Sequence, residues 1–255
     1  MSILNTAIVR GVPDTFDQCI RSDESTSIDV ALAREQHARY MEALRIAGLE
    51  VVRVPPDERF PDCCFVEDPV VVVGGNGLMC SMGAASRRGE GDTLRGALTG
   101  FGKSTVEMEG AARLDGGDVM VAGQNIFVGL TDRTNAGGIE ALRSMAEPGG
   151  YQVTAIEVHA ALHLKSVCAY LGGGHIAVVP GHVDEAVFQD YPLIEVAKSD
   201  EYSANCIDIN GTVIVADGFP HTQQSIEAAG YDTIVVAVSE FRKGDGGLSC
   251  LSIRF

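Results

Sequence analysis

The chain of 255 residues lacks features that several functional classes require. It has no apolar run near the about 18 residues of a membrane-spanning helix, and no charged start followed by an apolar stretch and a cleavage site, so we see no secretory signal. Lys and Arg number only 19 against 35 Asp and Glu, a formal net charge of -16. Nucleic acids and anionic membranes bind clustered basic residues, so this composition argues against both as partners. A small cationic molecule suits the charge, although acidity often serves only solubility.

Motifs of nucleotide-binding and zinc-protease chemistry are also missing, since the chain contains no G-x-G-x-x-G, P-loop or H-E-x-x-H. The cysteines are odd in number and irregularly spaced, and they form neither a disulfide framework nor a C-x-x-C pair. A zinc ion at Cys250 and His163 would have only two obvious soft ligands. We therefore expect free thiols in the cytoplasm, no metal and no other cofactor.

Short apolar runs interrupted by hairpin turns recur along the chain. The turns begin at Gly74, Gly123, Gly172 and Asn210, at steps of 49, 49 and 38 residues, and Asn210-Gly211 is the strongest hairpin signal. A helical pattern and one more strand follow each hairpin. The predicted helices cover 93–101, 135–146, 183–189 and 222–229, and the closing strands cover 105–108, 153–158, 193–196 and 233–238.

The two ends of the chain supply a fifth copy. Residues 250–255 are predicted to pair with 3–10, Asp29 to cap a helix that runs to Gly48, and 50–54 to form the closing strand. Five units of about 51 residues suit a ββαβ repeat. We predict a single α/β domain, 1–255, built as a five-unit α/β propeller around a central axis. A doubly wound sheet would need helices between all its strands, which the hairpins contradict.

Polar residues recur at one place in the repeat, between a closing strand and the next hairpin. Equivalent junctions around a pseudo-axis converge on one mouth, where residues distant in sequence can meet. The junction residues are Asp62, Glu67 and Asp68 after unit one, Asp115 and Asp118 after unit two, His163 after unit three, Asn205 after unit four, and Asp245 and Cys250 after unit five.

Cys250 and His163 are the candidate reactive pair. Cys250 follows Gly246 and Gly247, which would leave its thiol accessible as a nucleophile needs, whereas most other cysteines lie in apolar runs typical of a core. Leucines on both sides of His163 would anchor its backbone. A Cys/His pair with an acidic partner raises the thiolate content and moves protons.

The acids at the same mouth indicate the substrate. Cysteine proteases share the Cys/His pair, but so many carboxylates would repel an oxyanion. They suit a planar guanidinium, whose five N–H donors match carboxylates in bidentate pairs. Arg87 and Arg133 lie further out and could hold a carboxylate, although an exposed arginine is more often plain surface.

Seven motifs occur in order along the chain: Pro61 to Asp68, Gly83 to Arg88, Leu114 to Val119, Arg133 to Asn135, Leu162 to Ser166, Ala204 to Ile207 and Asp245 to Cys250. In these motifs the chain resembles, from about Ile8 to Phe255, the dimethylarginine dimethylaminohydrolase (dimethylargininase) family of the pentein, or guanidino-group-modifying, superfamily. That family's fold is a five-unit α/β propeller.

The resemblance implies a covalent hydrolysis of Nω-methylated arginine, either asymmetric dimethylarginine or monomethylarginine. Cys250 would attack the guanidinium carbon, and His163, oriented by Asp115, would protonate the leaving amine and then activate water to release L-citrulline. The implied substrate contacts are Glu67, Asp68 and Asp118 at the guanidinium, Arg87 and Arg133 at the α-carboxylate, Asp62, Gly244 and Asp245 at the α-amine, and Ile20 in a mobile lid over 14–27.

Two alternatives remain. Arginine deiminases and other amidinohydrolases carry an aspartate two residues after the catalytic histidine, where this chain has Lys165, and their early motif bears an arginine where this chain reads Phe65 to Asp68. Both differences favour methylarginine. The non-enzymatic alternative is a guanidinium-binding module on an inherited propeller. A homodimer is left open.

Overall fold

The computed structural model describes residues 3–255, which fold into five separate three-stranded sheets. The strands are β1 (Thr6–Arg10), β2 (Glu50–Val54), β3 (Val70–Val73), β4 (Asn76–Met79), β5 (Ser104–Glu107), β6 (Val119–Ala122), β7 (Asn125–Leu130), β8 (Gln152–Glu157), β9 (Cys168–Tyr170), β10 (Ile176–Val178), β11 (Leu193–Glu195), β12 (Ile207–Ile209), β13 (Thr212–Ala216), β14 (Asp232–Val236) and β15 (Ile253–Arg254). The α-helices are α1 (Val30–Ile46), α2 (Asp92–Gly100), α3 (Ala136–Ala146), α4 (Pro220–Ala228) and α5 (Ser239–Lys243).

Every sheet repeats one pairing scheme. An antiparallel pair comes first, and its second strand then pairs in parallel with a third strand. In the first unit the antiparallel pair is β15 with β1, and β1 pairs in parallel with β2 after α1. The ends of the chain therefore complete one unit together. The predicted α/β propeller of five ββαβ units is confirmed.

Buried apolar clusters join neighbouring units into a closed ring. One cluster places Ile8 and Ile253 of the first unit against Val70 of the second. Others join the second unit to the third, the third and fourth to the fifth, and the fifth back to the first through Ile207 and Ala7. Because burial of apolar side chains is the main favourable term in folding, each unit depends on its neighbours.

Local signals set the helix ends. The carboxylate of Asp29 accepts a hydrogen bond from the Leu32 amide at 3.0 Å, and the amide oxygen of Asn135 accepts one from Gly138 at 2.9 Å. Both side chains satisfy an N–H group that has no partner within its helix. Helix α1 ends before Gly48, which has a φ of 97°.

Three predicted elements are wrong in extent, and the first of them, the strand over 3–10, covers only Thr6–Arg10. The segment 183–189 forms only the short 3-10 turn Glu185–Phe188, since Pro180, Gly181 and Pro192 leave little room between β10 and β11. The final strand covers Ile253–Arg254, not 250–255. Cys250 lies in the 3-10 turn Ser249–Leu251 that precedes it. No helix within 3–255 is long and apolar enough to cross a membrane.

Candidate active site

A small cavity of about 30 Å³ lies where the junctions after units one, three and five converge. Nine predicted site residues line it, and they come from distant parts of the sequence. They are Ile20, Asp62, Asp68, Arg87, Arg133, His163, Gly244, Asp245 and Cys250. Cys250 and His163 also line a large cavity of about 990 Å³. The predicted reactive pair therefore lies between a small cavity and a large one.

Asp115 and Asp118 lie behind His163 and fix it. Asp115 is fully buried, and one of its oxygens is 3.2 Å from Nε2 of His163 while the other accepts from the Gly83 amide at 2.8 Å. Asp118 accepts a hydrogen bond from the Leu164 amide at 2.9 Å, so it anchors the residue after His163. The ring is placed both by its own hydrogen bond and by its backbone.

The surroundings of His163 favour its charged form. Burial alone lowers the pKa of an imidazole, but the carboxylate of Asp68, the bond to Asp115 and the charge of Asp118 raise the pKa of His163 to about 8. Near neutral pH the ring therefore carries a proton. Such a ring can give a proton to a leaving group.

The surroundings of Cys250 favour the neutral form of its thiol. Burial, followed by the charges of Asp68 and Glu67, raises its pKa to about 12. The Gly247 amide donates to Sγ at 3.4 Å, which only partly offsets these effects. The accessible thiol expected from the glycine-rich approach is thus a half-buried, protonated one. A positive charge brought against it would lower the pKa.

Arg87 is buried in an ion-pair network. Its Nη1 donates to Asp68 at 2.8 Å, and its Nε and Nη2 donate to both oxygens of Glu90 at 2.9–3.2 Å. Sequence reasoning missed Glu90, whose only signal is its place three residues after Arg87. Burial raises the pKa of Glu90 to about 7 although Arg87 opposes the shift. Arg133 is less constrained, with Nη1 at 3.6 Å from Asp115.

The segment 14–27 covers the small cavity through two carboxylates. Asp62 accepts from the Ile20 amide at 3.2 and 3.3 Å, and Asp245 accepts from the amide and hydroxyl of Ser22 at 2.6 and 2.8 Å. Asp62 and Asp245 are the residues assigned to the α-amine, so the covering segment already uses them.

Of the predicted guanidinium contacts, Asp68 lines the small cavity, whereas Glu67 and Asp118 do not. The carboxylate of Glu67 pairs with Lys165 at 2.6 Å and Arg254 at 3.1 Å, and it accepts from the Ser249 hydroxyl at 2.6 Å. It lines a third cavity of about 910 Å³, bordered by the first strands of the hairpins. Asn205 holds the Cys250 turn, since its Oδ1 accepts from the Ser249 amide at 2.8 Å.

Within the described residues, one buried group has metal-ligand spacing: Asp68, Asp115 and His163 offer atoms within 4.8 Å of one another. These acids already accept hydrogen bonds from Arg87, Gly117 and Gly83, and Asp115 binds the imidazole. The ligand atoms of these residues are thus already used in hydrogen bonds within the protein.

Comparison with known proteins shows that nearly the whole chain is similar to dimethylarginine dimethylaminohydrolases. The family described as "N,N dimethylarginine dimethylhydrolase, eukaryotic" matches residues 10–254. The N(G),N(G)-dimethylarginine dimethylaminohydrolase of Pseudomonas aeruginosa is 38% identical over 228 residues, covering 89% of this chain and 90% of that protein.

Solved structures agree with the sequence match. A Cys→Ser variant of the P. aeruginosa enzyme complexed with citrulline has a TM-score of 0.96 and 34% identity, with full coverage of both chains. A His→Gly dimethylarginine dimethylaminohydrolase in an adduct with S-methyl-L-thiocitrulline has a TM-score of 0.95 and 35% identity, covering 99% of this chain and all of that one.

The five-unit propeller with a thiol, an imidazole and acids at its axis defines a pentein, the class of guanidino-group-modifying enzymes. Within that class the chain belongs to the dimethylarginine dimethylaminohydrolase family.

Proposed function

We propose that this protein hydrolyses asymmetric dimethylarginine and monomethylarginine to L-citrulline and dimethylamine or methylamine, with Cys250 as the nucleophile. The observation that carries the proposal is the placement of Cys250 and His163 on the wall of one small cavity with Asp62, Asp68, Arg133 and Asp245. Family membership and the citrulline and thiocitrulline complexes of similar proteins support it.

Charge complementarity orients the substrate. Arg133, the less constrained of the two arginines, binds the α-carboxylate, with Arg87 beside it. The carboxylates of Asp62 and Asp245 bind the α-amine as well as the covering segment. Ile20 and Gly244 complete the wall of the cavity. Asp68 faces the guanidinium. Asp118 acts by fixing His163, and Glu67 acts on Cys250 through its charge.

The bound cation activates the nucleophile. In the free protein the pKa of Cys250 is raised to about 12, so the thiol is protonated at neutral pH. A guanidinium against the sulfur stabilises the thiolate, and the thiol proton passes to solvent. The thiolate then adds to the guanidinium carbon.

His163 handles the remaining protons. The imidazolium donates its proton to the methylated nitrogen, the C–N bond breaks, and the amine leaves a covalent thiouronium. The neutral ring, held by Asp115, then takes a proton from water as that water attacks the carbon. The C–S bond breaks, and L-citrulline and the Cys250 thiol are restored.

The test is citrulline release from asymmetric dimethylarginine, monomethylarginine and L-arginine. We expect turnover of the methylated substrates and loss of several orders of magnitude in Cys250→Ser and His163→Gly. Turnover of arginine alone, with ammonia as the nitrogen product, would instead establish a deiminase. Activity that survives Cys250→Ser would favour a binding module.

We also propose that the chain is one catalytic domain that acts in the cytoplasm without a cofactor. All seven cysteines are free, as a reducing compartment would keep them. The mechanism above needs only water and the protein's own side chains.

A further inference from the structure

The large cavity exceeds the space that a methyl group needs. Its volume is about 990 Å³, and it meets the small cavity at Cys250 and His163. Of the residues proposed for the amino-acid part of the substrate, Asp62, Arg87 and Arg133 line only the small cavity, whereas Asp245 lines both cavities. The site therefore has two sides, and the reactive sulfur lies between them.

This division fixes the direction of a bound substrate. In an Nω-substituted arginine, the amino-acid chain and the Nω substituent are carried by different nitrogens of the same guanidinium carbon. When that carbon lies against Cys250 and the α-carboxylate lies against Arg133 at the wall of the small cavity, the large cavity offers room for the substituent on the other side of the sulfur.

We infer that the large cavity is a subsite for Nω substituents much larger than methyl. The inference rests on the proposed function and names a wider substrate class for the same site: Nω-alkylarginines with unbranched chains such as butyl. The reaction is otherwise unchanged. The C–S bond forms, the C–N bond to butylamine breaks as His163 supplies the proton, and water releases L-citrulline.

One wall of the large cavity suits an alkyl chain, whereas Lys198, Glu201 and Arg242 make other parts of its lining polar. Leu130, Val158, Ala161 and Leu162 form an apolar side that begins next to His163. An alkyl chain on this side would lose contact with water, which is favourable. The other side comes from the turn Lys198–Ala204, where Ser199 is exposed and leaves the cavity open.

The decisive comparison is the kcat/KM for Nω-butylarginine against Nω-monomethylarginine. A closed pocket discriminates a single extra methylene by about 10- to 200-fold. In this cavity we expect the butyl compound to be hydrolysed within about tenfold of the methyl compound. A loss of about 100-fold or more for butyl, with methyl still turned over, would overturn the subsite.

A variant that fills the cavity locates the substituent. Ser199→Trp places a large ring on the exposed wall, away from the reacting groups, and we expect it to reduce kcat/KM for butyl by at least about tenfold and for methyl by less than about threefold. Ser199→Ala is the matched control and should change neither. Equal losses for both substrates, or none for either, would contradict this placement.

Failure of the subsite and failure of the proposed function give different results. If neither compound releases citrulline, the proposed function is wrong. Binding then still tests the subsite, by thermal shift of the Cys250→Ser protein with each compound. Nω-Butylarginine that binds as tightly as Nω-monomethylarginine supports the subsite, and binding about 100-fold weaker refutes it.

Discussion

At the residue scale, Gly117 controls the place of the His163 ring. A Cβ atom at this position would lie 2.6 Å from Nδ1 of His163 and 2.9 Å from an oxygen of Asp68. Neither group can withdraw freely, because Asp115 holds the ring and Arg87 holds the carboxylate. We expect Gly117→Ala to lower kcat/KM by about 100-fold or more, since small displacements in a catalytic site have effects of that order.

The matched control for this change is Gly96→Ala. Gly96 lies in α2, and a Cβ there would meet nothing within 4 Å. Removing a glycine from a helix interior should stabilise the protein by about 0.5–1 kcal/mol and leave kcat/KM unchanged. Steady-state kinetics and thermal unfolding measure both effects. Full activity in Gly117→Ala would mean that the ring has more freedom than the structure shows.

Cys250 provides the pH-dependent prediction. Its pKa is raised to about 12, so the thiolate fraction of the free enzyme should rise about tenfold per pH unit throughout pH 6–9. Because the thiolate is the nucleophile, the rate of inactivation by iodoacetamide should follow the same slope. Residual activity after timed exposure measures that rate and is insensitive to alkylation of cysteines outside the site. A plateau below pH 9 would show that the free thiol is already activated.

The sequence predicted that Cys250 and His163 would share a site, as the lining of the small cavity shows, but not their electrostatic state. Cys250 and His163 could be found because glycines, leucines and the repeat mark their positions. The raised pKa of Cys250 and the pairing of Glu67 with Lys165 and Arg254 depend on burial and on contacts between distant segments. Glu90 was missed for the same reason, since nothing local shows that Arg87 would be buried against it.

At the scale of elements, the cap of α1 gives a stability prediction. Asp29 accepts from the Leu32 amide, and Asp29→Ala removes this partner. We expect a loss of about 1 kcal/mol in the free energy of unfolding, the usual cost of losing an N-cap. Glu35→Ala, at an exposed position of the same helix, is the control and should change stability by less than about 0.5 kcal/mol. Denaturant unfolding of both variants measures these changes. Equal losses of unfolding free energy would show that the cap does not stabilise the helix.

The crossover of the fourth unit shows what pattern reasoning could and could not give at this scale. The step from Gly172 to Asn210 is 38 residues, shorter than the 49 of the two steps before it. A shorter step leaves less chain for the crossover, yet apolar spacing over 183–189 predicted a helix. Only a 3-10 turn fits between the prolines, and Phe188 is fully buried from it. The short length of the crossover, and not the apolar periodicity, determined the structure of this segment.

At the scale of the whole molecule, Thr6 and Phe255 lie where a hairpin turn joins the equivalent strands of the other units. Phe255 and Thr6 exchange hydrogen bonds at 3.0 and 3.1 Å, as partners in the antiparallel pair of the first unit. In the other four units the equivalent strands are joined directly by short turns. The ring of apolar clusters shows that closure comes from packing between units and not from a covalent link.

A circular permutant tests whether packing between the units, without a covalent link, closes the ring. Phe255 is joined directly to Met1, so that residues 1–5 form the connection to Thr6, a length within the about two to five residues of common hairpin loops. The new ends are placed between Gly123 and Gln124, exposed residues of the turn between β6 and β7. Since one turn is closed and an equivalent one is opened, every unit keeps its neighbours. We expect cooperative thermal unfolding and a kcat/KM within about tenfold of the unpermuted protein.

The control opens the chain between Gly116 and Gly117, which are buried beside Glu67 and His163, and should abolish activity. An inactive or unfolded Gly123 permutant would mean that the order of the chain, and not only the closed packing of five units, holds the catalytic junctions together.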